Sequence, residues 1–68
     1  MNRYEINHEF YQRRVRGLSD EQLRWIIRDA SEAIEAMPDS PKADYYADEV
    51  SYCAAELRRR KLAQGGVA

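Results

Sequence analysis

The chain holds one cysteine, one histidine, two prolines and three glycines in 68 residues. A single thiol excludes an intrachain disulfide, and Cys53 with His8 cannot make up the shell of a Cys/His zinc site. No metal and no cofactor is expected. A lone thiol fits a reducing cytoplasm better than a secreted, disulfide-bonded setting, so cytoplasmic localisation is the expectation. No apolar run approaches the length of a signal core or a membrane span. Glycine is too scarce for a phosphate-cradling loop, since the only Gly-Gly pair, Gly65-Gly66, lies in the C-terminal stretch. His8 has no Ser or Cys partner at a motif spacing, and no paired carboxylates sit in an apolar setting. No catalytic residue is assigned, and the chain is not expected to be an enzyme.

What the chain does have is charge and helical periodicity. At 44% hydrophobic content it makes one small domain over residues 1–68, with little interior. Chains this short are marginal unless a staple, a metal or a partner subunit adds burial. With the first two removed, self-association into a homo-oligomer is expected. The net charge of −1 argues against a wholly basic nucleic-acid binder, but its distribution is uneven. Residues 1–17 carry four Arg against two Glu, or +2; residues 18–49 carry three bases against nine acids, or −6; residues 50–68 carry four bases against Glu56, or +3.

The clearest element is LSDEQLRWIIRDASEAIEAM, residues 18–37. Ser19 is placed as N-cap, Gln22 completes a capping box, and Leu18 with Leu23 forms a hydrophobic staple. Asp20 and Glu21 complement the positive end of the helix dipole. Leu23, Ile26, Ile27, Ala30, Ala33, Ile34 and Met37 recur at i, i+3, i+4, i+7 and form an apolar face about 100° wide. Trp25 points to the opposite side, among charged residues.

Pro38 ends this helix, and Ser40-Pro41 restarts one as N-cap and first helical residue. The connection is short enough to make an antiparallel hairpin of helices at about 19–37 and 41–62. The apolar face of the second is Ala43, Tyr46, Ala47, Val50, Cys53, Ala54 and Leu57, with the alanines allowing close backbone approach. Cys53 lies on that stripe, so a buried, inert thiol is the reading. Residues 2–16 form a shorter N-terminal helix, with Asn2 and Glu5 as a capping box; an extended start turning helical near Asn7 is the alternative. Gly17 closes that helix as a C′ residue. Residues 63–68 form a flexible tail. The fold class expected is thus all-α.

Three groups of residues stand out. Trp25, Tyr45 and Tyr52 give the hairpin helices a second aromatic patch, Tyr45 and Tyr52 being two turns apart on one line. Either the N-terminal helix folds back on them through Tyr4, Phe10 and Tyr11, or they contact a partner protein, since aromatics concentrate at binding hot spots. The basic clusters Arg13, Arg14 and Arg16, and Arg58, Arg59, Arg60 and Lys61, fall toward the open end of the hairpin. They suit ion pairs with Asp20, Glu21 and Glu56. The alternative is a phosphate-bearing ligand, gripped by Arg13, Arg14, Arg16, Arg58 and Arg59 with a base stacked on Tyr11. Glu32, Glu35, Asp39, Asp44, Asp48 and Glu49 gather toward the turn as a solvated acidic face.

Residues 18–61, about two-thirds of the chain, resemble the small helical-hairpin accessory proteins of tailed bacteriophages and prophages. The resemblance is carried by the capped LSDEQL start, the MPDSPKADYYADE turn and restart, and the YCAAELRRRK ending. It implies a protein acting in the cytoplasm of an infected bacterium, binding and inhibiting or modulating a host protein, host-defence proteins included. A weaker resemblance is to phage proteins that sequester cyclic nucleotide signals, which are also short, helical and oligomeric. It implies nucleotide or nucleic-acid contact by Tyr11, Arg13, Arg14 and Arg58.

Overall fold

Helix α2, Asp20–Ala36, forms where its start signals place it. The Ser19 Oγ accepts from the Gln22 backbone N–H at 3.1 Å, and the Gln22 side chain accepts from the Ser19 N–H at 2.8 Å. The capping box is complete, because it depends on four consecutive residues and on nothing distant. In this computed structural model, which describes residues 7–65, two further helices accompany it: α1, His8–Arg16, and α3, Ala43–Gly65. The chain is all-α over the described residues.

Helix α1 begins at the later of its two expected starts. The Asn7 side chain accepts from the Phe10 N–H at 3.0 Å, a cap one turn deep. The expected Asn2–Glu5 box and Tyr4 lie outside the described residues. Gly17 closes α1, but with φ at −89°, in the right-handed region and not the left-handed one a C′ glycine uses. The closure is instead a tight turn, Gly17 N–H to Arg14 C=O at 3.1 Å and Leu18 N–H to Val15 C=O at 3.2 Å.

Between α2 and α3, Ser40 is not the helix N-cap and Pro41 is not its first residue; the Ser40 Oγ accepts from the Lys42 N–H at 3.1 Å and closes a turn ahead of the helix. One short turn (Ala43 N–H to Ser40 C=O, 3.0 Å) precedes the first α-type bond, from Tyr46 N–H to Lys42 C=O. Regular helix therefore begins at Ala43, two residues later than expected, and it continues to Gly65, past the expected end near Leu62. An ion pair of 2.6 Å joins Asp20, the first residue of α2, to Arg60 near the end of α3. The two helices are therefore antiparallel, and α1 packs against α3.

The molecule measures 42 × 25 × 17 Å, a slab too thin to enclose much. The core is Tyr11 and Val15 of α1, Leu23 of α2 and Cys53 of α3, with Leu18, Ile26, Ile27, Tyr45, Tyr52 and Leu57 packed around it. Among the described residues the largest wholly enclosed side chains are Leu23 and Cys53. Helix α3 is rotated from its expected phase: Ala47 and Ala54 are exposed, while Tyr45 and Tyr52 turn inward. The physical reason is α1. A third helix needs a surface to cover, and two tyrosines offer far more apolar area than two alanines.

Candidate functional site

Tyr45, Glu49, Tyr52 and Glu56 follow i, i+4, i+7, i+11 spacing and so line one stripe of α3. Helix α1 lies on that stripe. The Tyr11 and Tyr52 ring centres are 5.6 Å apart, those of His8 and Tyr52 are 5.5 Å apart, and the Tyr11 hydroxyl donates to the Glu49 carboxylate. His8 Nδ1 and the Tyr52 hydroxyl are also hydrogen-bonded. Burial, then the hydrogen bond and charge of Glu49, push the Tyr11 hydroxyl above the ordinary tyrosine range. Burial and Glu49 push the Cys53 thiol up too, which keeps it protonated and unreactive.

This arrangement divides the expected aromatic patch. Tyr52 lies against Tyr11 of α1 and Tyr45 packs on the same core, while Phe10, expected to help cover them, faces solvent. Trp25 is separate from them and 64% exposed. Helical spacing surrounds it with Glu21, Gln22, Arg28 and Asp29, all exposed.

The basic residues divide as well. Arg59 and Arg60 both bind Glu56, with Arg59 Nη2 at 2.6 Å and Arg60 Nε at 2.8 Å from its carboxylate. Glu56 is only 5% exposed. Hydrogen bonds from Arg59, then Arg60, outweigh burial and hold its carboxyl down to about 2. Arg60 reaches further: Nη1 meets Asp20 at 2.6 Å, and Nη2 faces the carbonyl oxygens of Leu18, Val15 and Arg16 at 2.6, 3.1 and 3.3 Å. Two of these carbonyls, Val15 and Arg16, belong to the last turn of α1, where helical donors run out, and the third, Leu18, lies just beyond it. One guanidinium thus joins all three helices. The expected ion pairing of this cluster with Asp20 and Glu56 is present, while the expected pair with Glu21 is not found among the described residues.

Arg58 and Lys61 take no part in these bonds. With Arg24 they rim an open groove of about 700 Å³ between the start of α2 and the end of α3, which Arg60 and Asp20 also line. Its floor includes Leu57 and Leu62, the latter 63% exposed. Arg13 and Arg16 line a different, shallow depression on α1 with Glu9 and Gln12. Arg14 lies 5.8 Å from the Tyr11 ring centre. The two basic clusters therefore border separate surfaces. Tyr11, expected to stack a base, is 2% exposed with its hydroxyl on Glu49, so it presents no open ring face. Glu49, assigned to the solvated acidic face, instead accepts from Tyr11; its signal was an acid between Tyr45 and Tyr52 on one stripe of α3.

Among the described residues, no group of three or more His, Cys, Asp or Glu is placed to hold a metal ion. No described helix is long and apolar enough to cross a membrane. Comparison with protein-family models, curated proteins and solved structures finds no match to this chain.

Proposed function

We propose that this is a non-enzymatic binding protein that acts by stoichiometric protein–protein contact, with Trp25 as its anchor. The observation that carries this reading is the different treatment of its aromatics. Tyr11, Tyr45 and Tyr52 belong to or pack against the core, whereas Trp25 is 64% exposed and outside the core of the described residues. An aromatic anchor inside a polar ring is the common anatomy of an interface hot spot. The resemblance of residues 18–61 to phage accessory proteins supports a host protein of an infected bacterium as the partner, inhibited or modulated on binding, with host-defence proteins among the candidates.

Affinity capture from bacterial lysate with the full chain, read by quantitative mass spectrometry, tests this. The expected result is a small set of proteins retained by the wild type and lost with Trp25→Ala, at unchanged helicity by circular dichroism. Equal retention by Trp25→Ala removes Trp25 from the role.

A second reading, sequestration of a cyclic nucleotide or contact with nucleic acid, is supported by Arg24, Arg58 and Lys61, which have no ion-pair partner among the described residues. Without Tyr11 as a platform it rests on charge alone. Calorimetry with cyclic nucleotides separates the two readings: heat lost on Arg58→Ala supports sequestration, and no heat across the panel removes it.

A further inference from the structure

The two ends of the slab are chemically complementary, and they belong to different patches. At the open end, Arg24, Arg58 and Lys61 surround the apolar floor formed by Leu57 and Leu62. Asp20, the acid in the groove wall, is already held by Arg60. Arg24, Arg58 and Lys61 have no ion-pair partner among the described residues. At the other end, residues 32–49 carry six acids, Glu32, Glu35, Asp39, Asp44, Asp48 and Glu49, against Lys42 alone. At the tip stands Met37, 65% exposed, with exposed Glu35 and Asp39 on either side in sequence. Helix α2 separates the ends by 17 residues, about 25 Å at 1.5 Å per residue. That exceeds the screening length of about 8 Å at physiological salt, so the ends do not neutralise each other within one molecule.

We infer that the groove of one copy receives the Met37 turn of a second copy, so that the protein assembles head to tail. Met37 supplies an unbranched, adaptable apolar side chain for a floor of leucines. Glu35, Asp39 and Asp44 come opposite Arg24, Arg58 and Lys61. A second copy is the occupant because this chain itself presents the required acid-flanked apolar tip. The contact is heterologous, joining unlike patches, so each added copy leaves one groove and one turn free. Growth does not stop at a dimer unless the rotation closes a ring. This contact does not use Trp25 and is independent of the binding role proposed above.

Sedimentation velocity on the full chain tests it, with two end-blocked variants. Arg58→Ser with Lys61→Ser blocks the groove, and Met37→Lys with Asp39→Lys blocks the turn. All four positions are exposed, and circular dichroism confirms that each variant folds. The wild type is expected to grow in mass with concentration past the dimer, and to lose most of that association between about 0.05 and 0.5 M salt. Each variant alone stays monomeric, while an equimolar mixture forms a discrete dimer, because one partner keeps a groove and the other a turn. Trp25→Ala assembles as the wild type does. A wild type that remains monomeric up to about 1 mM overturns the inference. So does a blocked variant that still associates, a mixture that does not pair, or loss of assembly on Trp25→Ala.

Discussion

The Nη2 atom of Arg60 donates to the carbonyl oxygen of Leu18 at 2.6 Å, so the last helix holds the loop that ends the first. The same side chain is fixed from behind by Glu56 and from the side by Asp20. Helix α1 has only nine residues, too few to persist alone. Its place over Tyr45 and Tyr52 depends on Tyr11 at one end and Arg60 at the other.

Arg60→Ala is therefore expected to release α1 more than it disturbs the hairpin. Amide exchange should quicken over residues 8–18 while α2 keeps its protection, and Tm should fall by more than about 5 °C. Arg60→Lys should rescue little, because an ammonium cannot fan out over five acceptors as a guanidinium does. Uniformly faster exchange in all three helices would show that α1 is not a separate unit.

Glu56 ties stability to acid pH. Its folded-state carboxyl sits near 2, below the value of about 4.3 expected for an unfolded glutamate. A depressed carboxyl contributes stability that is complete above the unfolded value and is lost as pH falls toward the folded one. Thermal unfolding of the wild type should weaken between about pH 4.5 and pH 2. Glu56→Gln should start less stable and decline less steeply over that window. Parallel declines would remove Glu56 as the source.

The tyrosines and the tryptophan should separate cleanly. Tyr52→Ala opens a cavity under α1 and should cost about 2–4 kcal/mol. Tyr11→Phe keeps the ring but leaves Glu49 without its donor, at a cost of about 1–2 kcal/mol. Trp25→Ala should stay within about 0.5 kcal/mol of the wild type, as exposed positions do. Urea titration of the three variants checks the order, and a large loss at Trp25 would show it to be part of the core.

Local signals were legible in the sequence and rotational ones were not. The Ser19–Gln22 box and the Pro38 stop each depend on a few adjacent residues, and each formed, while the Ser40-Pro41 restart came two residues late. The phase of α3 depends on which of two competing stripes wins, and periodicity weighs Ala47 and Ala54 equally with Tyr45 and Tyr52. The third helix decides it, by covering the larger side chains. The same rotation sorts residues 58–61. Successive cations point about 100° apart, so Arg60 turns to the three-helix junction while Arg58 and Lys61 turn to the groove. Nothing in four consecutive bases distinguishes them until that phase is known. Trp25 was legible because it opposes a strong stripe on a helix whose phase is not in dispute.

The proposed partner contact is at Trp25. A photo-crosslinking amino acid at position 29, exposed and one turn from Trp25, leaves that side chain in place and is irradiated in bacterial lysate. The expected result is a discrete adduct at position 29 that excess wild-type protein competes away and excess Trp25→Ala does not. No adduct at position 29, or one that Trp25→Ala displaces as well as the wild type, would contradict the proposed contact.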